Sequence, residues 1–451
     1  MCSIGNYRKR FLLTLAWTGA TACMLFIFIS PSLYLLAPLL VVISVCCLGN
    51  GFALLNSFLP LLIANHSGAL RDTQEYQFQP VAGAEDGSKS VPTDLALSNS
   101  ISAKGTGLGY AAALFVQVLS IGILILMNAL HLSSSATLPM RVVLLLVGVW
   151  WAAFTIPTYL WLRPRPGPRL QAVPITTRRW LQPVHYVGFA WRSLFATVKT
   201  ALKLKQVCIF LVAWFLMSDA IATISGVAIL FARTELHMET PAIALVSITA
   251  TINGVLGATL WPRIQKYFKL ETNHVIIACV CLSEIIPLYG LLGFVLPVLG
   301  LRSQWEIFPM ACIHGFVMGG LSSFCRSFYS VLIPPGSEAA FYALYAVTDK
   351  GSSVIGPAVV GRIVDATGSV RMGFWFLAVL VVLPIPLMWW VDTEAGRKDA
   401  QRLVGAGDDA AEHVPLADNV GRRSTDEDGD EAFGLLDSDD ELEYLPDRGQ
   451  E

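Results

Sequence analysis

Charged side chains are scarce in this chain. Asp, Glu, Lys and Arg supply 14% of its 451 residues, apolar residues supply 54%, and the mean hydropathy is +0.59. Because a soluble globular domain carries about 25% charged residues, the composition excludes an ordinary soluble protein. It predicts an all-α polytopic membrane protein, since helices satisfy their own backbone hydrogen bonds in lipid and no segment reads as a strand.

The sequence also lacks the patterns that carry enzyme chemistry. It contains no nucleophile elbow, no HExxH sequence and no phosphate-binding loop, and its seven histidines have no metal-ligand spacing. Eight of the nine cysteines lie in apolar runs, where a small hydrophobic side chain is the ordinary role. We therefore expect neither an enzyme nor a metal, a cofactor or a nucleic-acid partner.

Ten apolar segments reach or approach the ~20 residues that a helix needs to cross the hydrocarbon of a bilayer. They lie at about residues 11–30, 36–60, 108–130, 142–162, 207–231, 240–262, 274–296, 305–331, 339–362 and 371–391. Lysines and arginines are concentrated in alternate connections. Nine of them and no acid lie from Arg163 to Lys205, whereas the connections 31–35, 131–139 and 232–239 hold a single one between them, Arg233. By the positive-inside rule we expect both termini to be cytosolic.

Segment order and charge divide the chain into four parts. Residues 1–162 form an N-terminal half of four spans, with a flexible cytosolic loop predicted at 65–107, and residues 207–391 form a C-terminal half of six spans. The basic linker 163–206 joins them. Its stretch 187–205 alternates apolar and basic residues as in a helix lying on the membrane surface, although a plain amphipathic linker would have the same pattern.

The fourth part, 392–451, is an acidic tail that we expect to be disordered. From Glu394 onward it holds 18 acids and 6 bases and few large apolar residues. Within it, Glu431, Leu435 and Leu436 match an acidic dileucine pattern. Such a motif docks on a sorting adaptor, but the pattern is short enough to arise by chance.

Three carboxylates lie inside predicted spans that enter the membrane from the same side. Asp219, Glu284 and Asp349 each follow about 10–12 residues of their span, at a depth of ~15–18 Å. Charged groups at this depth are costly and usually functional. Lys350 follows Asp349 directly, and since adjacent residues on a helix point about 100° apart, we expect each to need its own partner.

Each of these groups has a structural and a functional interpretation. Asp219 either pairs with Lys350 or binds a substrate ammonium or a proton, because burial favours the neutral carboxyl. Glu284 is either a second proton site or a buried, hydrogen-bonded acid, and Arg326 is either functional or snorkels to the membrane surface. The other polar candidates within the spans are Asn50, Asn56, Thr223, Asn253 and His314.

Four stretches resemble the autophagy-related protein 22 family: GNYRKRFLLTLAWTGA at 5–20, LGNGFALLNSFLPLLI at 48–63, WFLMSDAIATISGVAILFA at 214–232 and PPGSEAAFYALYAVTDKGSSVIGP at 334–357. The resemblance implies a major-facilitator-type helical bundle in the vacuolar membrane. It also implies that about ten of the expected twelve transmembrane helices are present, the first two of the family being absent here. The segments 36–60, 207–231 and 305–331 would then line the central cavity with Asn50, Asn56, Asp219, Thr223, His314 and Ser322, whereas Glu284 would lie outside it.

The sequence therefore predicts a multi-pass vacuolar transporter. The resemblance implies export of small neutral amino acids from the vacuole lumen to the cytosol during autophagic recycling, by alternating access of two helical halves. The alternative is a non-transporting membrane protein, either a truncated remnant or a scaffold that recruits partners through its tail and surface helix. A facilitator for sugars or carboxylates is less favoured, because Asp219 and Asp349 suit a cationic amino group.

Overall fold

The computed structural model describes residues 7–64, 90–130, 137–162, 182–296 and 299–412. Within these ranges the chain is helical and has no strand, which confirms the predicted all-α polytopic class. The helices are α1 (Tyr7–Leu25), α2 (Leu36–Asn56), α3 (Leu59–Ala64), α4 (Ser90–Ala129), α5 (Leu138–Trp161), α6 (Gln182–Lys203), α7 (Lys205–Thr234), α8 (Thr240–Phe268), α9 (Thr272–Val295), α10 (Ile307–Leu332), α11 (Glu338–Ser352), α12 (Ile355–Thr367), α13 (Gly373–Val382), α14 (Pro384–Trp389) and α15 (Thr393–Glu412).

Nine helical stretches of the described chain are long and apolar enough to cross a membrane. Each corresponds to one predicted segment. The remaining predicted segment, 339–362, is divided between α11 and α12. Pro357 explains the break, because a proline has no N–H and its ring clashes with the carbonyl four residues earlier, which here belongs to Ser353.

The N-terminal part of α4 corrects the predicted loop at 65–107. Residues 65–89 lie outside the described residues, but α4 begins at Ser90 and continues without interruption. The content of serine, glycine and aspartate in residues 65–107 favoured a loop. In the helix, however, Ser98, Ser102 and Thr106 recur every four residues and form one polar face that meets other helices.

The acidic tail is also helical at its beginning, so the prediction of disorder from residue 392 is wrong there. Asp392 Oδ1 accepts hydrogen bonds from the backbone nitrogens of Glu394 and Ala395, at 2.9 and 3.1 Å, and thereby caps α15. Residues as far as Ala406 form one compact unit, and those from Gly407 belong to a second. The predicted sorting motif of Glu431, Leu435 and Leu436 lies outside the described residues.

The hydrophobic core lies in the C-terminal half. Phe210 of α7, Phe324 and Tyr329 of α10 and Tyr342 of α11 are fully buried and belong to one cluster that extends from residue 201 to residue 391. In the N-terminal half, α1 packs against α2 and α5. That half exposes many apolar side chains on its outer faces, as expected of helices that meet lipid.

Helices α8 and α10 approach each other closely through glycines. A Cβ atom added at Gly315 would overlap the carbonyl oxygen of Ala250, and one added at Gly257 would overlap that of Phe316. Only glycine lets two helix backbones come this near. These glycines therefore set the close packing of α8 against α10.

The linker between the halves contains α6, which packs against α7 and α11. Trp191, Phe195 and Leu202 form an exposed apolar stripe along it, and Arg192 and Lys203 are exposed beside that stripe. The helix and its two faces are as predicted, and its position on a membrane surface stays a prediction. Residues 163–181 lie outside the described residues.

Candidate functional site

The two halves are joined along α4 and α8, which pack antiparallel; we call this contact the seam. Positions that advance along α4 meet positions that go back along α8, in the pairs Asn99 and Gln265, Gly107 and Ala258, Tyr110 and Gly254, and Gln117 and Ser247. From Asn99 to Gln117 the seam extends over about 27 Å of helix. It therefore runs through most of the thickness of a bilayer.

A second contact between the halves lies at one end of the bundle and centres on Arg326 of α10. Its guanidinium donates to Asn56 Oδ1 at 3.1 Å, to Ser102 Oγ at 3.2 Å and to Thr106 Oγ1 at 2.7 Å. These partners belong to α2 and α4, so a single side chain of the C-terminal half holds two helices of the N-terminal half. We call these four residues the clamp, and the end of the bundle where they lie the clamp end.

Further polar contacts at the clamp end support this arrangement. Ser327 Oγ donates to Ser98 Oγ at 2.6 Å, and Ser102 Oγ donates to the carbonyl of Ser323 at 2.8 Å. Arg8 of α1 lies 3.4 Å from Glu338 of α11, and both side chains are largely buried. All three contacts cross between the N-terminal and C-terminal halves.

The guanidinium of Arg326 is bonded to neutral oxygens. Among the described residues, no carboxylate lies within ion-pair distance of it. The snorkelling interpretation is therefore wrong, because the side chain points across the bundle rather than out to the membrane surface. Hydrogen bonds to a charged donor contribute about 1.5–3 kcal/mol each, so the clamp is strong, yet each of its partners can be replaced by water.

Asp219 lies at the break between α11 and α12. The residue is 2% exposed, and its Oδ1 accepts a hydrogen bond from the backbone nitrogen of Gly356 at 2.9 Å. In an unbroken helix that N–H would donate to Ser352. Thr223, one turn further along α7, is fully buried and donates to the carbonyl of Asp219. The carboxylate thus satisfies the first turn of α12, where the helix dipole also favours a negative charge.

Asp349 and Lys350 pair with each other, which corrects the expectation that each needs its own partner. Lys350 Nζ lies 2.9 Å from Asp349 Oδ2. The long lysine side chain spans the angle between neighbouring positions. Ser218 of α7 donates to Asp349 Oδ1 at 2.6 Å, and the pairing of Lys350 with Asp219 is not the one adopted. The aspartate side chain is 26% exposed and the lysine side chain 72% exposed.

The other predicted site residues are dispersed. His314 Nε2 lies 3.1 Å from Ser225 Oγ, which joins α10 to α7. Asn50 and Asn253 each donate to the carbonyl four residues earlier in their own helix. Glu284 Oε2 is buried and has no hydrogen-bond partner in the described part of the chain.

The structure brings together residues that the sequence analysis did not single out. Ser102 and Thr106 complete the clamp, Ser98 lies beside it on Ser327, and Gly356 completes the site of Asp219. A four-residue period of small polar side chains directly before an apolar span was the available signal for the first three. Among the described residues there is also no group of acids, histidines and cysteines that could hold a metal ion.

A family model and two curated relatives that match this chain carry the same family name. A family model described as "Vacuole effluxer Atg22 like" matches residues 1–401. Autophagy-related protein 22 of Botryotinia fuckeliana is 51% identical over 465 residues, which cover 96% of this chain and 76% of the relative. Autophagy-related protein 22-2 of Aspergillus niger is 51% identical over 435 residues, which cover 88% of this chain and 72% of the relative.

Two solved structures are similar at low sequence identity. The Escherichia coli fucose:proton symporter FucP aligns with a TM-score of 0.47 and 12% identity, over 85% of this chain and 84% of the symporter. A bacterial homologue of the iron transporter ferroportin, in an outward-facing state, aligns with a TM-score of 0.38 and 15% identity, over 88% of this chain and the whole of the homologue.

Proposed function

Since the chain belongs to the Atg22-like family of vacuole effluxers, we propose that it exports small neutral amino acids from the vacuole lumen to the cytosol. Residues 1–162 and 207–391 act as the two halves of an alternating-access transporter in the vacuolar membrane. The transport serves the recycling of amino acids after autophagy.

The observation that carries this proposal is the difference between the seam and the clamp. The seam runs along about half of α4 and about two thirds of α8, and the axis of a rocking motion can cross it near its middle, at Gly107 and Ala258. The clamp joins α10 to α2 and α4 at one end of the bundle. Rocking about that axis would break the clamp and open that end of the bundle while the halves stay together along the middle of the seam.

We assign the clamp end to the cytosol, with both termini on that side. Arg263, Lys266 and Lys269 lie at this end, where α8 ends, and Arg8 lies where α1 begins. Positive charge of this kind is retained on the cytosolic side of a membrane. Opening the clamp would therefore release the substrate to the cytosol.

The pair of Asp349 and Lys350 supports an amino acid as substrate. Both side chains are partly exposed, and together they present one negative and one positive group. A zwitterion can replace the internal ion pair with two new ion pairs. Its ammonium binds Asp349 and its carboxylate binds Lys350. A sugar offers neither charge, and so cannot compensate for separating the pair.

Transport by purified protein in liposomes tests the proposal. Liposomes loaded with labelled neutral amino acids should lose them faster than liposomes containing the same chain cross-linked across the clamp. Release that is identical in both preparations, for every amino acid tried, would contradict transport. It would favour the alternative of a scaffold without transport activity.

A further inference from the structure

A pocket of about 1060 Å³ opens at the clamp end, between the N-terminal turns of α4, the end of α8 and the start of α9. It also touches the connection from α14 to α15. Ligand-binding pockets commonly have volumes of roughly 300–1,000 Å³, so it is large enough for a phosphorylated six-carbon ring. None of the residues discussed above as substrate or proton sites lines this pocket.

The floor of the pocket is a polar triad of Asn99, Gln265 and Thr272, in which Gln265 is half-buried. Asn99 Nδ2 donates to Thr272 Oγ1 at 2.9 Å and to Gln265 Oε1 at 3.3 Å, and Gln265 Nε2 donates to Thr272 Oγ1 at 3.2 Å. Asn99 and Thr272 are each 2% exposed. The triad joins α4 of the N-terminal half to α8 and α9 of the C-terminal half.

The triad has hydrogen-bonding capacity left over. Asn99 Oδ1 is buried and accepts no hydrogen bond from the described residues, although a buried polar atom without a partner costs about 1–3 kcal/mol. Thr272 Oγ1 accepts from both amides, and its own hydrogen has no acceptor in the described chain. A hydroxyl group that donates to Asn99 and accepts from Thr272 would satisfy both.

The rim of the pocket is positively charged on one side. Arg263, Lys266 and Lys269 are exposed there, and in the described part of the chain none of them forms an ion pair. Three bases at one edge are a site for an anion with several oxygens, above all a phosphate.

Three acids line the opposite side of the pocket: Glu271 at the start of α9, and Asp392 and Glu394 around the start of α15. Asp392 caps α15, and Glu271 lies 3.8 Å from His274 Nδ1. The lining therefore holds as many acids as bases, but the bases lie together at the end of α8, so an anion bound there is in contact with positive charge.

We propose that this pocket binds a phosphorylated polyol, such as the headgroup of an inositol phospholipid or the corresponding free inositol phosphate. The phosphate would bind Lys266 and Lys269, and a ring hydroxyl would bind Asn99 and Thr272. The ligand would bridge α4 to α8 and α9. Ser98 and Ser102 of the clamp end lie on the same turns of α4 as Asn99, so a bound ligand would favour the closed clamp.

Calorimetric titration of the full chain in detergent tests the proposal without reference to transport. The probes are a short-chain phosphatidylinositol phosphate, its deacylated headgroup and a short-chain phosphatidic acid. Phosphatidylinositol phosphate should bind roughly tenfold or more tightly than phosphatidic acid, which has the phosphate but no ring hydroxyl. Binding of the deacylated headgroup would identify a soluble ligand, and binding of the acylated form alone would identify a lipid.

The variant Lys266→Gln with Lys269→Gln should weaken phosphatidylinositol phosphate binding roughly tenfold or more. Both lysines are exposed, so this variant should fold normally. Arg233→Gln with Arg362→Gln is the matched control, because it also removes two exposed bases and lies outside the pocket. Equal affinity in the lysine variant and the unmodified chain, equal affinity for phosphatidic acid, or no binding of any probe would overturn the proposal.

Discussion

Asp219 Oδ1 on α7 lies 2.9 Å from the backbone nitrogen of Gly356, the second residue of α12. A buried carboxylate of one helix thus completes the first turn of another, at the point where a proline interrupts the chain. The residue predicted to bind a substrate ammonium is committed to the backbone. Asp349, on the other side of the same break, keeps a partly exposed carboxylate.

Replacing Gly356 by alanine should destabilise the protein by about 1–3 kcal/mol. The added Cβ would overlap Thr223 Oγ1 and lie 2.9 Å from Asp219 Oδ1, so α12 must move away from α7. Thermal unfolding in detergent measures the change. Gly361→Ala is the control on the same helix, because its Cβ would meet nothing within 4 Å. An equal loss in both variants would mean that the close approach at Gly356 has no special role.

The substitutions Asp219→Asn and Asp219→Leu separate the two roles of this side chain. Asparagine keeps an acceptor for the Gly356 nitrogen, so we expect it to lose no more than about 1 kcal/mol and to retain transport within a few-fold. Leucine leaves the N–H unpaired and should cost about 1–3 kcal/mol. Thermal unfolding and amino-acid release from liposomes measure both. Complete loss of transport in a stable asparagine variant would restore the interpretation as a substrate or proton site.

A disulfide across the clamp end should stop transport. The hydroxyl oxygens of Ser98 and Ser327 are 2.6 Å apart, so Ser98→Cys with Ser327→Cys should cross-link on oxidation and hold the clamp closed. On oxidation, the release of amino acids should fall to the level of loaded liposomes without protein, and it should recover when the disulfide is reduced.

The control cross-link lies in the seam. A Cβ at Gly107 would be 3.6 Å from that of Ala258, which matches disulfide geometry. Because residues near an axis of rotation hardly move, Gly107→Cys with Ala258→Cys should cross-link and still transport. If the seam disulfide inhibits transport as much as the clamp disulfide does, the seam is not the axis and the clamp is not the part that opens.

Asp349→Asn with Lys350→Gln should raise the KM for neutral amino acids roughly tenfold or more, because two charged contacts of the zwitterion are lost. Concentration-dependent release from liposomes gives this value. Arg362→Gln with Asp365→Asn on α12 removes the same two charges at exposed positions and should leave the KM unchanged. If both variants behave alike, the pair does not recognise substrate.

The sequence identified the spans because long apolar runs leave a helix no alternative in lipid. Nine of these runs are single stretches in the structure, whereas the run at 339–362 is broken at a proline that was visible in the sequence. The polar half of α4 was misread as a loop. Composition does not tell whether serines meet water or the polar face of another helix, and only the contacts of Ser98 and Ser102 with α10 decide it.

The candidate site was predicted only in part, for the same reason. Asp219, Asp349 and Arg326 were singled out as costly groups, and in the structure each has a hydrogen-bond partner on another helix. Their partners could not be predicted from the sequence. Gly356 offers only a backbone nitrogen, and only the packing of the helices brings Asn56 and Thr106 near Arg326.

The glycine contacts between α8 and α10 have a mechanical consequence. Two helices that touch through their backbones cannot slide along each other without steric overlap, so α8 and α10 must move as one rigid unit. Lys266 lies near the end of α8 and Arg326 near the end of α10. A contact that immobilises Lys266 therefore also restrains the guanidinium of Arg326.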